Sequence, residues 1–305
     1  MIDFWKKWVG AQYWRLQGRV AGNRRALYGG SHGLRIVAFH SIRAPELDMA
    51  KRMFAWIRDR YPLASPDDAD AVFEGRYLPG TSDRVMLTFD DGLATDYAAA
   101  RWLADAGVRA AFFIVPSLVD RTVGQYAEFH AQRGVQAFLL DEPSARGLST
   151  TQVREMIAMG HRIGAHNFAH RDLGRLHSDA EIDYEVGLAI DTVGELTGEP
   201  CRDFAIAFGQ PHNVSKEATR YLLARCPRVY AAHRGLNVPG ITPRFLLRHT
   251  CSADQPMAFA QLCIEGGADH HLAHLAREMV RRVGTTPTSM ANVVRPLAAT
   301  ASAKA

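Results

Sequence analysis

Val85-Met86-Leu87-Thr88-Phe89-Asp90-Asp91-Gly92 is an apolar run that delivers two adjacent carboxylates and a glycine at its end. The run reads as a buried strand. Carboxylates side by side repel, and a fold that keeps them usually gives one a cation. Downstream, His166-Asn167-Phe168-Ala169-His170 offers two imidazoles four residues apart, close enough to grip one metal ion. Asp91, His166 and His170 therefore form a plausible three-ligand site with an open position, which leaves Asp90 as a base. The plainer reading of Asp90 and Asp91 is a solvated Asp-Asp-Gly turn. The histidine pair is what weighs against it.

Working outward from this run, short apolar stretches alternate with helix-patterned segments, which predicts parallel strands joined by helical crossovers. Strands are expected at Leu34 to Phe39, Val85 to Phe89, Ala110 to Val115, Arg162 to Ala165, Phe204 to Phe208, Val229 to Ala232 and Phe245 to Leu247. Helices are expected at Glu46 to Tyr61, at Tyr97 to Ala106, and from Ser149 or Thr150 to Gly160. Ser178 with Glu181 reads as a capping box opening a helix that stops at Gly198, and Ser215 opens another reaching Cys226. About seven strands in this order predict an α/β fold, a distorted (β/α) barrel with functional groups at the C-terminal ends of its strands. His40, Asp90 with Asp91, His166, Phe208-Gly209-Gln210 and Arg248-His249 all fall at such ends. Residues 120 to 147 read as a long loop over the same face.

Composition sets the surroundings. The chain has 305 residues, 47% apolar and 22% charged, which suits one large core. Residues 34–285 are expected to form it, with a basic amphipathic segment at 1–33 and a C-terminal tail at 286–305 that frays from Pro296. A net charge of +4, with no basic stripe interleaved with stacking aromatics mid-chain, argues against nucleic acid. Cys201, Cys226, Cys251 and Cys263 lack a close C-x-x-C pair and read as reduced thiols. Neither a membrane span nor a secretory signal is legible, so the expected location is the cytoplasm. Trp5, Val9, Tyr13, Leu16 and Val20 recur at helical spacing among Lys6, Lys7, Arg15, Arg19, Arg24 and Arg25. That helix either packs on the main domain or a partner subunit, or lies on the inner membrane face. His270, His271 and His274 give a second H-x-x-x-H pair without a carboxylate motif, and read as an exposed helix face.

Thr88-Phe89-Asp90-Asp91-Gly92 and His166-x-x-x-His170, with the strand Ala111-Phe112-Phe113-Ile114-Val115 between them, resemble the metal-dependent polysaccharide deacetylases, carbohydrate esterases that include chitin and peptidoglycan deacetylases. The resemblance spans roughly residues 34 to 250. It implies that Asp91, His166 and His170 bind a divalent ion, most often Zn2+, with Co2+, Ni2+ or Fe2+ also suited to such donors. It implies Asp90 as general base and a backbone N–H near Phe208 as donor to the oxyanion. A bound cation acidifies water toward pKa ~7 and polarises the amide carbonyl. The implied reaction is removal of an N-acetyl group from an amino sugar of a polysaccharide, lipopolysaccharide or lipid-linked glycan precursor of a bacterial cell.

The third motif departs from the commoner family pattern: Ala205 stands in place of an arginine and Phe208 in place of a tyrosine, as in a subset of the family. Arg248 is the substitute expected to hold the base. Leu247-Arg248-His249 fits the spacing of the family's Leu-x-His motif and makes His249 the expected general acid, with His212 and His40 as alternatives. A catalytically silent glycan-binding protein on the same fold, and a deformylase or O-deacetylase, are the rival functions.

Overall fold

A computed structural model describes residues 2–40, 42, 44–137, 143–252 and 254–288. Seven strands form one sheet: β1 (Leu34–Phe39), β2 (Arg84–Asp91), β3 (Ala111–Ile114), β4 (Arg162–Ala165), β5 (Asp203–Ala205), β6 (Arg228–Tyr230) and β7 (His249–Cys251). Their order is β6-β5-β4-β3-β2-β1-β7, and every pairing is parallel. The sheet is curled. Leu246 bridges in parallel to Tyr230 of β6, and three residues later the same run pairs with β1. One short stretch thus touches both edges of the sheet.

Alternation along β2 divides the core in two. Met86 packs with Leu34, Ile36, Phe113, Tyr230 and Leu246 inside the curl. Val85, Leu87 and Phe89 face the surrounding helices, where Phe89 stacks on Phe39 and Phe112 at 5.6 and 4.6 Å between ring centres. Both faces being covered is why the strand reads as an unbroken apolar run.

The crossover helices fall close to where they are expected, at Leu47–Arg60, Asp96–Asp105, Thr150–Ala158 and Lys216–Arg225. The Ser178 hydroxyl accepts from the Glu181 amide at 3.3 Å, and the helix runs through a π-helical turn at Asp183–Gly187 before ending at Gly198. Two expectations need correction. Residues 120–147 are not a plain loop: Thr122 and Gln125 make a reciprocal cap that starts a helix over Val123–Ala131. The last strand lies at His249–Cys251 rather than 245–247, because the ladder to β1 begins only at His249.

The basic N-terminal segment forms helices Ile2–Leu16 and Arg19–Tyr28. Ala11 of the first is buried against Leu262, Cys263 and Ala268, beside the helix Met257–Ile264. The second is tied down by Asn23, whose amide donates to the Gly266 and Gly267 carbonyls, and by Arg24, bidentate on Asp83. At the other end, the Thr286 amide still donates to Thr242 at 2.9 Å, and the expected tail beyond 288 lies outside the described residues. Among the described residues no helix is long and apolar enough to cross a membrane. All four cysteines are buried and unbridged.

Candidate metal centre and its surroundings

β2 ends in a distortion that lets two neighbouring carboxylates serve one mouth. Side chains alternate along a strand, so Asp90 follows Met86 and Thr88 into the curl. Asp91 would point the other way, but its φ is +79°, in the left-handed region, which re-aims it. Gly92 follows at φ +77°, where a Cβ would stand 2.8 Å from Cβ of Ile114. The glycine of the motif is thus required twice, by conformation and by space.

The histidine run is an irregular turn rather than a helix, with Asn167 and His170 both at positive φ. Hydrogen bonds within the turn and to the surrounding elements hold it. The Asn167 side chain donates to the Arg171 carbonyl at 2.7 Å and accepts from the Ala207 amide at 3.3 Å. Glu185, fully buried in the π-helical turn, accepts from the amides of Ala169 and Arg171 on either side of His170, at 3.0 and 3.4 Å. Ser117 donates to the Phe168 carbonyl and is met by His130, whose other ring nitrogen contacts Tyr184 at 2.8 Å. The His166 Nδ1 lies 2.8 Å from the carbonyl of Ala205, so Nδ1 carries the proton and Nε2 is turned to the site.

Asp91 Oδ1 lies 3.4 Å from His170 Nε2 and 3.6 Å from His166 Nε2, and the three ligand atoms all fall within 4.8 Å of one another. This is the only such group among the described residues, so His270, His271 and His274 do not make a second one. Asp91 Oδ1 is buried and takes no hydrogen bond of ordinary geometry. One carboxylate oxygen and two imidazole nitrogens, buried and convergent, suit a divalent first-row ion. Burial would raise the Asp91 carboxyl, but its contact with His170 and the charges of His170, His166 and His40 hold it below its ordinary value. Burial pushes His166 down to about 4, keeping it neutral and able to ligate.

Asp90 has a different partner. Arg248 grips it with both guanidinium arms, Nη1 to Oδ1 at 2.6 Å and Nη2 to Oδ2 at 2.9 Å, while Nε donates to the Ala231 carbonyl at 2.8 Å. Both side chains are buried. Burial favours the protonated acid, yet the Arg248 charge, with His166 and His40, outweighs it and keeps Asp90 ionised. Ala205, in the third motif, offers Asp90 no charge, and the cation that pairs with Asp90 is Arg248.

The expected acid, His249, is elsewhere, and that expectation is corrected. Alternation that turns Arg248 into the curl turns His249 outward, where the charges it feels are those of Arg234 and Arg35. Burial drives it down to about 3, and neither ring nitrogen has a hydrogen-bond partner. His40 is the histidine at the mouth. Phe39, the last residue of β1, pairs with Phe89, and His40 and Asp90 are the residues that follow this pair. His40 is exposed, and its charge acts on both Asp90 and Asp91.

Phe208, at φ +61° and 39% exposed, sets its ring 5.2 Å from that of His170. Beside it lies a cavity of 1010 Å³ whose lining includes Val135, Arg171, Leu176, Gln210 and His212. A smaller cavity of 470 Å³ lies at the opposite ends of the strands, where Arg162 and Arg228 are already paired with Asp70 and Asp203. Sequence reasoning missed Glu185, which looks like any polar residue of an amphipathic helix, and Asn167, whose place between His166 and His170 was the one available signal.

Residues 78–226 match the polysaccharide deacetylase family model. No curated protein matches the sequence. Among solved structures, the chain is similar to IcaB from Ammonifex degensii, at TM-score 0.58 and 20% identity over 78% of this chain and 98% of that one. It is similar to a de-N-acetylase from Aggregatibacter actinomycetemcomitans at TM-score 0.58 and 18% identity, covering 75% and 98% of the two chains. It also resembles the deacetylase PplD of Streptococcus pyogenes, at TM-score 0.56 and 18% identity over 76% and 97%. At these identities the solved structures show a shared fold, the curled α/β barrel, and the similarity to the polysaccharide deacetylase model rests on residues 78–226.

Proposed function

We propose that the protein removes an N-acetyl group from an amino sugar of a polysaccharide, lipopolysaccharide or lipid-linked glycan precursor. The observation that carries this reading is the convergence of Asp91, His166 and His170 within 4.8 Å, next to a second carboxylate that a buried arginine keeps ionised. The de-N-acetylase and deacetylase names of the structural neighbours point the same way.

Asp91, His166 and His170 are the residues that would hold a divalent ion, with Zn2+ first and Co2+, Ni2+ or Fe2+ as substitutes. Such an ion supplies Lewis acidity to the acetyl carbonyl and to the attacking water. The protein's own groups divide the remaining work. Asp90, held ionised and fixed by Arg248, takes the proton from water. The Phe208 amide is the donor to the developing oxyanion, and the Phe208 ring walls the acetyl pocket. His40, beside Asp90 at the open mouth, gives the proton to the departing amine. The 1010 Å³ cavity beside Phe208 has room for sugar units flanking the reacting one.

Arg248 on Asp90 answers the missing arginine, one of the departures that favour the catalytically silent reading. The test is acetate release from N-acetylated amino-sugar oligomers by metal-loaded protein, alongside chelator-treated protein and Asp90→Asn. Release that needs both metal and Asp90 supports the proposal. Undiminished release from verified metal-free protein sinks the mechanism, and formate or O-acetyl release alone moves the reading to the rival hydrolases.

A further inference from the structure

The first helix, Ile2–Leu16, is apolar on two sides. Its inner side, with Ala11 buried and Trp14 half-buried, packs on Leu262, Cys263 and Ala268, and Trp14 also meets the ring of His271 at 4.7 Å. At 3.6 residues per turn, Trp5, Val9, Tyr13 and Leu16 fall together on the side opposite Ala11. They are 57, 56, 57 and 88% exposed, and Trp8 at their margin is 41% exposed. The inner side suffices to dock the helix, so folding does not require the outer stripe. A contiguous apolar stripe of this kind marks an interaction surface.

Charge identifies the partner. Between Asp3 and Glu46 the sequence contains no acidic residue, while it contains Lys6, Lys7, Arg15, Arg19, Arg24, Arg25, Arg35 and Arg43. Arg15, Arg24 and Arg35 are engaged by Glu265, Asp83 and Asp269 of the body. Lys6, Arg19 and Arg25 are exposed. Tryptophan and tyrosine rings with a girdle of cations suit the headgroup boundary of a bilayer that carries negative charge. A second copy suits the stripe less well, since self-pairing would bring two basic segments together with no acids to answer them.

We propose that this helix lies flat on an anionic lipid surface, with Trp5, Val9, Tyr13 and Leu16 in the headgroup boundary. It packs beside the helix that follows β7, whereas the cavity beside Phe208 is lined by segments that follow β3, β4 and β5. Lipid contact therefore leaves that cavity uncovered. The inference stands apart from the proposed reaction.

The test is sedimentation of the full chain with phosphatidylcholine vesicles and with vesicles containing phosphatidylglycerol, at low and high salt. The expected result is co-sedimentation with the anionic vesicles, weakened by salt and accompanied by a blue shift of tryptophan emission. Val9→Ser with Leu16→Ser should lower the partition about tenfold through lost apolar burial. Lys6→Glu with Arg25→Glu should abolish the preference for anionic lipid. All variants should keep wild-type thermal stability, since these side chains face away from the body. No binding to anionic vesicles at low salt overturns the proposal. So does self-association without lipid that Val9→Ser with Leu16→Ser abolishes, which would assign the stripe to a second copy.

Discussion

Arg248 and Asp90 meet edge to edge, Nη1 to Oδ1 and Nη2 to Oδ2, although 158 residues separate them along the chain. Replacing Arg248 by Met would leave a buried carboxylate without its cation. Because Asp90 is ionised more easily folded than unfolded, the pair stabilises the protein above the unfolded pKa, and that stability is lost as pH falls through the folded value. Breaking such a pair costs about 3–5 kcal/mol. In Arg248→Met, burial acts on Asp90 against only the charges of His166 and His40, so the acid limb of kcat/KM should move to higher pH. An acid limb left where it was would show that Arg248 does not set the ionisation of Asp90.

Asp91→Ala, His166→Ala and His170→Ala should each lose bound divalent metal and acetate release together, with folding retained because the ligands line a mouth rather than the core. Elemental analysis of the purified variants checks this. Stoichiometric metal in all three would remove these residues from the ligand set.

His40 and His249 make opposite predictions. His40→Asn should lower kcat by about 10²–10⁴-fold, the usual worth of a general acid, without loss of metal. His249→Phe should leave turnover within a few-fold. It should also change the acid stability profile. His249 is held down to about 3, so its contribution is present above its unfolded pKa and declines as pH falls from there toward 3. The phenylalanine variant should lack that part of the decline in urea titrations at successive pH values. Loss of turnover in His249→Phe with His40→Asn active would reverse the assignment.

Glu185 positions His170 through the amides on either side of it. Glu185→Gln keeps an acceptor oxygen and should hold metal within a few-fold of wild type. Glu185→Ala should weaken metal binding by about 10–100-fold, the range typical for groups that orient ligands. Competition with a chromogenic chelator separates the two. Equal metal affinity in both variants would leave Glu185 with a packing role alone.

The places where the sequence misleads have one physical source. Adjacent residues on a strand face opposite sides, so Arg248 and His249 cannot both reach the mouth, and the Leu-x-His spacing hid that rule. Asp90 and Asp91 escape it because the chain leaves the strand at a left-handed residue before a glycine, and the Asp-Asp-Gly motif announces that turn. The apolar strands were legible because both their faces are covered. The run at 245–247 was legible as apolar, but its neighbours were not: Leu246 touches β6 while the ladder to β1 starts at His249. The helix Val123–Ala131 carried its signal in Thr122 and Gln125, obscured by the charged residues around it.

The short stretch that touches both edges of the sheet also sets an order of assembly. Asp91, His166 and His170 are all present once the chain has passed the turn after β4, whereas Arg248 arrives only with the stretch that joins β6 to β1. Contacts this distant in sequence form late, since the chain between them must first be ordered. A nascent or truncated chain ending before residue 245 would therefore hold the metal ligands but lack the cation that keeps the base ionised. On the proposed reading, competence for hydrolysis would be tied in this way to completion of the fold, and a partly folded molecule that captured metal would stay chemically quiet.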